Sequence, residues 1–277
     1  MKTTAHDCGC GATISNVDLT QLTRDQATEI NQLLAQHGVL IFNGQNVTPD
    51  DHVRLANTLG DIVLNPFFKA LDTHPEVAIV AKSEKQSMNI GGGWHTDHSY
   101  EPEPAKGSIL VARTVPSAGG DTRFAHLGKA YETLPEHVKQ QILPLNAVHS
   151  NKHIYGAEGY YRNTDQAANL GGVDDVGDAT HPMVIKHPQS GNPILYVNPA
   201  HVVAIEGLED QEAKELLDLL YRHVVEADFI YDHCWTEGSV AIWDNRTTWH
   251  FANNDYQGEK RLMHRITLTG DPLEAFK

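Results

Sequence analysis

The chain has 277 residues, with 21 lysines and arginines against 36 aspartates and glutamates, which gives a formal net charge of −15. This acidic balance argues against a nucleic-acid partner, which needs a basic protein face, and against binding to an anionic membrane surface. The longest apolar runs are short, like Val77–Ala81, and the first residues lack the apolar core of a signal peptide. Three cysteines cannot build a disulfide framework, so we expect a cytoplasmic protein.

The first sixty residues predict two strands and two helices in alternation. Ala12–Val17 forms a short strand, and a helix over 23–38 follows, with a threonine cap and apolar residues at helical spacing. Val39–Phe42 is the second strand. Thr48 caps the second helix, which has proline in its first turn and ends at a glycine.

From Val77 onward the pattern changes to short strands that glycine and proline interrupt. Two helices lie among them, Pro135–Leu143 and the longer, amphipathic Glu209–Val225. Short strands at this density predict a mainly β protein, either a sandwich or a double-sheet jelly roll, with flanking helices against one sheet. The predicted strands are Val77–Ala81, Ser108–Arg113, Met183–His187, Ile194–Val197, Phe229–His233, Ser239–Trp243 and Met263–Leu268.

The stretch from Asn151 to His181 follows neither the helical nor the strand period and is rich in glycine and aspartate. A loop of this length inside a compact domain is typical of a lid. No repeat and no linker-like change of composition divides the chain. We therefore expect one domain over residues 1–277, with a lid at about 151–181.

Two separate segments carry candidate metal ligands. In an extended segment His95 and Asp97 point to the same face, while His98 points away. His250 begins a strand far downstream, and a jelly roll can bring it beside that pair. Two histidines and a carboxylate form the facial triad of non-haem Fe(II) oxygenases. Zinc hydrolases use the same ligand types, so the triad alone leaves the chemistry open.

Arginines that follow His250 favour an oxygenase. On a strand Arg261 and Arg265 share a face, and a guanidinium there can grip a carboxylate with two hydrogen bonds. A 2-oxo dicarboxylic acid would chelate iron at one end and reach Arg261 at the other. The Gly119–Thr122 turn offers a hydroxyl, that of Thr122, to the same carboxylate.

These motifs resemble the taurine and 2,4-dichlorophenoxyacetate dioxygenases, which depend on Fe(II) and 2-oxoglutarate. The resemblance spans roughly Gly11 to Pro272 and is carried by the segments 94–97, 116–122, 241–246, His250 and 261–265. It implies a double-stranded β-helix fold. It also implies an enzyme that uses 2-oxoglutarate and O2 to oxidise a substrate, with release of succinate and CO2.

The resemblance further implies roles for individual residues. His95, Asp97 and His250 would bind iron, and Thr122 and Arg261 would bind 2-oxoglutarate. Arg265 matches a position near the anionic group of the substrate in taurine-type members; the alternative is an arginine that pairs with a structural carboxylate. Relatives of this kind are often dimers or tetramers, so the resemblance leaves the oligomeric state open, with a homodimer or a homotetramer as the candidates.

The substrate pocket departs from the taurine pattern. Asn65 and Phe68 stand where taurine-type members place a histidine and a tyrosine for the sulfonate, and three glycines precede Trp94 in place of a polar side chain. Tyr155 lies in the predicted lid and is a further candidate pocket residue. We therefore expect a small anionic substrate with an apolar or aromatic body, and not taurine.

The sequence leaves three classes of function open. A dioxygenase would hydroxylate the substrate, and the product would collapse with bond cleavage if the hydroxylated carbon bears O, N or S; desaturation is also open. A metal-dependent hydrolase or isomerase on the same scaffold explains the triad but gives Arg261 and Thr122 no role. A non-catalytic jelly-roll binding module explains none of the polar residues.

Overall fold

The computed structural model describes residues 1–172, 174–226 and 229–277, and β-sheet is its main regular structure. The helices are α1 Arg24–His37, α2 Pro49–Leu59, α3 Leu127–Thr133, α4 Glu136–Ile142, α5 Lys152–Tyr155 and α6 Asp210–Val224, with 3-10 turns at Leu19–Gln21, Tyr160–Asn163 and Ala167–Asn169. The strands are β1 Lys2–Ala5, β2 Ala12–Ser15, β3 Val39–Phe42, β4 Ile62–Val63, β5 Ala70–Leu71, β6 His74–Lys82, β7 Gly107–Thr114, β8 Thr122–His126, β9 Asn146–Ser150, β10 Asp178–Pro182, β11 Val184–Lys186, β12 Pro193–Leu195, β13 Val202–Ile205, β14 Ile230–His233, β15 Val240–Asp244, β16 Thr248–Ala252 and β17 Arg261–Leu268.

Two sheets form the centre of the molecule. The large sheet has the strand order β1-β2-β3-β15-β7-β17-β6-β5, with β4 added to β17, and a smaller sheet has the order β14-β8-β16. Buried apolar residues from both sheets form one cluster, with Leu110, Trp243 and Met263 from the large sheet and Phe124 from the small one. The prediction of a mainly β protein is therefore confirmed.

Two N-terminal helices cover the large sheet. Thr23 and Thr48 each cap a helix through a reciprocal capping box, which satisfies backbone N–H groups at the helix start. The apolar residues Ile30, Leu34 and Leu55 of these helices join a buried cluster with the strands beneath them. Both helices lie where the sequence predicts them, because caps and apolar spacing agree there.

Several strands are missing from the sequence-based prediction. β8, β9, β10 and β13 mix polar and apolar residues, so their composition gives no clear strand period. They form because partners pair with them: β8 lies between β14 and β16, and β9 lies between β10 and β13. Tertiary pairing overrides weak local preference at these positions.

The predicted lid segment contains short elements rather than a structureless loop. Within 151–181 lie α5, two 3-10 turns and most of β10; Val173 is outside the described residues. The segment is tied to neighbouring loops, since Gln166 donates to the carbonyl of Met88 and Phe68 forms an isolated bridge with Leu170. That it moves as a lid stays a prediction.

No helix among the described residues is long and apolar enough to cross a lipid bilayer.

A buried histidine lies between α2 and the large sheet. His52 is fully buried, and neither of its ring nitrogens has a hydrogen-bond partner among the described residues. Burial, together with the nearby Arg113 guanidinium and the ring of His264, lowers the pKa of His52 to about 3. The folded protein therefore holds this ring neutral.

The first prediction concerns acid stability. Since the pKa of His52 in the folded protein lies below its unfolded value, its contribution to stability is complete above about pH 6.5 and is lost as the pH falls toward 3. At pH 5 the loss is about 2 kcal/mol. His52→Leu should therefore flatten the decline of unfolding free energy between pH 7 and pH 5, as urea titrations would measure. His137→Gln, at an exposed histidine, is the control; equal slopes for wild type and His52→Leu would contradict the assignment.

Candidate active site

A pair of backbone hydrogen bonds joins two distant histidines. The N–H of His95 donates to the carbonyl of His250 at 3.1 Å, and the N–H of His250 donates to the carbonyl of His95 at 2.8 Å. Residues paired in this way on adjacent strands place their side chains on the same face. The two ring centroids accordingly lie 4.0 Å apart.

Asp97 joins the two histidines because side chains alternate along the segment. Thr96 points the other way and donates its hydroxyl to the carbonyls of Asn245 and Thr248. The Nε2 atom of His95 is 3.6 Å from Oδ1 of Asp97, and the Nε2 atom of His250 is 3.5 Å from Oδ2. Ligand atoms about 2 Å from a first-row metal lie roughly 3–3.5 Å apart, so the three groups fit one ion.

The protonation of the ring atoms also suits a metal. The Nδ1 of His95 lies 2.8 Å from the carbonyl of Gly93, which can only accept, so Nδ1 carries the proton and Nε2 carries the lone pair. Burial and the neighbouring ring of His95 hold the pKa of His250 well below its usual value, so His250 is neutral as a ligand must be. No described group outside this triad completes another such cluster.

Arg265 contacts one of the candidate metal ligands. Its guanidinium donates to Oδ2 of Asp97 at 2.6 Å and to the hydroxyl of Ser108 at 2.9 Å. Burial alone would raise the pKa of the Asp97 carboxyl, but Arg265, His250 and His95 outweigh it, and this pKa lies well below its usual range. Arg265 is thus paired with a carboxylate rather than free, which is the alternative that the sequence left open.

A second buried guanidinium lies further along β17. Arg261 donates to the hydroxyl of Thr122 at 3.4 Å and lies over the ring of Trp235, and its Nε has no partner in the described part of the chain. Burial lowers the pKa of Arg261, and nearby Tyr256 and Asp121 offset part of that effect. A buried cation with such neighbours is a site for an anion.

Thr122 lies beside the Arg261 guanidinium with its hydroxyl proton free to donate. Its oxygen accepts from the Nε1–H of Trp235 at 2.9 Å and from Arg261, so its own O–H is left to donate. The sequence identified Thr122 and Arg261, and the structure brings them together. The sequence analysis did not identify Trp235. Nothing in the residues around Trp235 indicates that its indole contacts a distant threonine.

Comparisons with known proteins agree with this geometry. The chain matches the family described as "Taurine catabolism dioxygenase TauD, TfdA family" over residues 3–267. The chain belongs to this family. It is 33% identical to an alkylsulfatase of Acinetobacter baylyi, over 94% of this chain and 82% of that protein. It is 30% identical to an (S)-phenoxypropionate/alpha-ketoglutarate-dioxygenase of Sphingobium herbicidovorans, over 96% of this chain and 94% of that protein.

A solved structure shows the same architecture. The crystal structure of a taurine dioxygenase from Burkholderia xenovorans superimposes with a TM-score of 0.82 at 31% identity, over 98% of this chain and 91% of that chain. The jelly-roll prediction is therefore confirmed. The chain is an alpha-ketoglutarate-dependent dioxygenase, and the family implies iron as metal with 2-oxoglutarate and O2 as co-substrates. Hydrolase, isomerase and non-catalytic alternatives are thereby set aside.

The dioxygenase has a cavity of about 470 Å³ beside the triad, a size suited to a small molecule. Aromatic side chains of the lid segment form one wall: Tyr155 stacks on Phe67 at 4.5 Å and on Tyr161 at 5.9 Å. The described residues that line the cavity are Met88, Asn89, Gly91, Gly92, Gly93, His95, His153, Ile154, Tyr155, Tyr160, Tyr161, Pro199, Ala200, His201, Phe251, Ala252 and Asn254.

Of the four predicted substrate residues, only Tyr155 is among the described residues that line this cavity. Asn65 instead accepts from the backbone N–H groups of Phe67 and Phe68, and its amide contacts His98 at 3.3 Å. Phe68 is half-buried in its bridge to the lid segment. The structure therefore does not bring Asn65 or Phe68 to the cavity, because local backbone hydrogen bonds fix both.

The lid segment is linked to the loop that precedes His95. Tyr161 accepts a hydrogen bond from the backbone N–H of Gly91 at 3.0 Å. Gly91 has a φ of +84°, and a Cβ at this position would lie 3.3 Å from Cε1 of His95. The glycine therefore lets the loop approach the metal ligand closely while the tyrosine holds that loop in place.

The second prediction tests this link. Tyr161→Phe keeps the ring but removes the acceptor, so the Gly91 amide should exchange with solvent at least about fivefold faster, since a lost hydrogen bond to a buried group costs about 1–3 kcal/mol. Hydrogen–deuterium exchange of the 88–95 segment measures the effect. Tyr160→Phe removes a hydroxyl from the exposed neighbour and should change nothing. Unchanged exchange in Tyr161→Phe would mean that the lid segment does not restrain this loop.

Proposed function

We propose that the protein hydroxylates a small organic anion, with His95, Asp97 and His250 holding Fe(II) and with Thr122 and Arg261 binding 2-oxoglutarate. The observation that carries this proposal is the convergence of the three ligand groups beside the cavity, with His95 in its wall. Ferrous iron bound there would supply the oxidising chemistry by which one oxygen atom of O2 is inserted into a substrate C–H bond and the other enters succinate, as 2-oxoglutarate loses CO2. A cytoplasmic location and a homo-oligomeric state stay predictions.

The protein's own residues would prepare the site for this chemistry. The carbonyl of Gly93 accepts a hydrogen bond from Nδ1 of His95, which leaves Nε2 facing Asp97 and His250. Arg265 donates a hydrogen bond to one carboxylate oxygen of Asp97. Partners of this kind keep ligands in one orientation and raise metal affinity. Arg261, supported by Thr122, would take the distal carboxylate of 2-oxoglutarate through two charge-assisted hydrogen bonds.

Charge balance supports an anionic substrate. His95 and His250 would bind the metal as neutral rings. A ferrous ion, Arg261 and Arg265 together bring four positive charges, whereas Asp97 and 2-oxoglutarate bring three negative ones. An anion on the substrate would balance the positive charge that remains.

The cavity walls support an apolar or aromatic substrate body. Tyr155, Tyr161 and Phe251 present aromatic surface to the cavity, which suits an aryl or alkyl group. The alkylsulfatase and phenoxypropionate dioxygenase relatives are named for substrates of this kind. We therefore propose an alkyl- or aryl-bearing acid and not taurine, with hydroxylation followed by bond cleavage wherever the carbon bears O, N or S.

The third prediction tests the metal ligands and the function. The protein with Fe(II), 2-oxoglutarate and O2 should form succinate, and a panel of sulfonates, sulfate esters and aryloxy acids should stimulate it. His95→Ala, Asp97→Ala and His250→Ala should each abolish turnover and weaken Mn(II) binding at least about tenfold, as titration calorimetry would show. His98→Asn is the control, because His98 pairs with Glu101 instead. Full Mn(II) affinity in a triad variant would remove that residue from the site.

The fourth prediction concerns 2-oxoglutarate. Arg261→Ala should raise the KM for 2-oxoglutarate strongly, since breaking a buried charge-assisted pair costs about 2–5 kcal/mol, or roughly thirtyfold and more. Arg261→Lys should recover part of this loss, because an ammonium cannot form the two-pronged contact. Steady-state kinetics with Arg123→Ala as control, at a half-exposed arginine of β8 that pairs with Asp232, would check it. An unchanged KM in Arg261→Ala would assign the carboxylate to another group.

A further inference from the structure

Lys82 is a buried cation to which the proposed metal and 2-oxoglutarate contacts give no role. It is the last residue of β6 and is only 2% exposed. Among the described residues its ammonium has one hydrogen-bond partner, the carbonyl of Tyr256 at a long 3.4 Å. An ammonium carries three donors, and a lysine buried this deeply is normally paired with an acid. The position of Lys82 in the fold therefore calls for an explanation.

The strand register places Lys82 beside Arg261. The two residues are Cα partners on the antiparallel strands β6 and β17. Residues directly opposite each other present their side chains on the same face of the sheet, with Cβ atoms about 4.5–5.5 Å apart. On β17 the same face carries Arg265, which contacts Asp97. Lys82 therefore lies on the side of the large sheet that faces the site, next to the proposed ligand of the distal carboxylate.

One aromatic ring lies close to both cations. Nζ of Lys82 is 4.3 Å from the centroid of the Tyr256 ring. A Cβ at Gly120, which has a φ of +72°, would lie 3.3 Å from Cδ1 of Tyr256 and 3.4 Å from Cδ of Arg261. The glycine thus lets the ring and the Arg261 side chain close on the same turn. Tyr256 is only 3% exposed, so this corner of the fold is shielded from water.

The charges of the two cations are poorly compensated within the described part of the chain. Arg261 is 6% exposed, and its hydrogen bond goes to the neutral hydroxyl of Thr122. Two acids nearby, Asp121 and Asp165, form no salt bridge with either cation, and Asp165 is exposed. Water and salt screen buried charges weakly, so the fields of Lys82 and Arg261 add where an anion would bind. Such a pocket favours a ligand whose far end is charged.

We propose that Lys82 is a positioning residue for 2-oxoglutarate, which holds Tyr256 beside Arg261 and makes the pocket select a 2-oxo acid with an anionic far end. This inference rests on the proposed function, since it takes Arg261 as the group that binds the distal carboxylate. Lys82 acts through Tyr256 and through its field, not by touching the ligand. Its loss therefore changes the preference for charge and leaves the binding of an uncharged far end in place.

Two 2-oxo acids of similar shape test the proposal: 2-oxoglutarate, and 5-methyl-2-oxohexanoate, in which an isopropyl end replaces the distal carboxylate. Titration calorimetry gives the Kd of each for the protein loaded with Mn(II). In wild type we expect 2-oxoglutarate to bind at least about tenfold more tightly. Lys82→Met keeps the stem but removes the charge, so it should weaken 2-oxoglutarate at least about fivefold and change the isopropyl analogue less than about twofold. Lys82→Arg, which keeps the charge, should retain most of the preference.

Controls separate this role from a structural one. Lys85→Met removes the same charge from an exposed position of the following loop and should keep both wild-type Kd values. Unchanged Mn(II) affinity shows that the triad is intact, and Lys82→Gln gives the same comparison if the methionine variant fails to fold. The inference is overturned if Lys82→Met binds 2-oxoglutarate as wild type does, or if it loses both ligands equally.

Failure of the proposed function gives a different result. Wild type would then bind 2-oxoglutarate no better than the isopropyl analogue, or Arg261→Ala would keep the wild-type Kd for 2-oxoglutarate. Either result would overturn the assignment of Arg261 and the role of Lys82 with it. If instead Arg261→Ala loses the preference and Lys82→Met keeps it, only the inference about Lys82 is wrong.

Discussion

The two hydrogen bonds between the backbones of His95 and His250 are the constraint on which the candidate site depends. They join the loop after β6 to β16, and through alternation they also fix Asp97 on the triad side and Thr96 on the opposite side. A slip of one residue in this pairing would turn both ligands of the first segment away from His250. The hydroxyl of Thr96, held by two carbonyls, opposes such a slip. The geometry of the His95, Asp97 and His250 side chains is thus a consequence of backbone register.

Buried charge is the second feature that the fold has to accommodate. The Asp97–Arg265 pair is desolvated, and such pairs add little net stability although breaking one is costly. Burial of the Arg261 guanidinium costs more folding free energy still. Its neighbours are a hydroxyl and an indole ring, which stabilise a buried cation only weakly. These groups make sense as prepared binding sites, since a divalent ion and a dicarboxylate would each supply the missing opposite charge. The stability of the free protein is lowered where its ligands bind.

Much of the site could be predicted from the sequence because it depends on short-range rules. The spacing of His95 and Asp97 sets their common face, and the spacing of Arg261 and Arg265 does the same on β17. The pairing of Arg265 with Asp97 could not be predicted. The sequence places Arg265 on one face of β17 but does not show which carboxylate of another segment packs against that face. Asn65 and Phe68 are not among the described residues that line the cavity, and the hydrogen bonds from the Phe67 and Phe68 backbone to Asn65 could not be read from the sequence.

The lid segment shows why weak sequence signals can still give a defined structure. Its residues lack a helical or strand period, and they are held mainly by side-chain contacts: Tyr155 on Phe67, Tyr161 on Gly91, Gln166 on Met88, and Asp165 on Ser87. Each of these contacts, made by residues 155–166, is local and individually small, as the predicted opening of a lid requires. Most of these contacts are made to the loops just before the triad. Closing of the segment would therefore complete the aromatic wall of the cavity and brace the loop that carries His95 in the same movement, so that substrate enclosure and ligand orientation are physically linked.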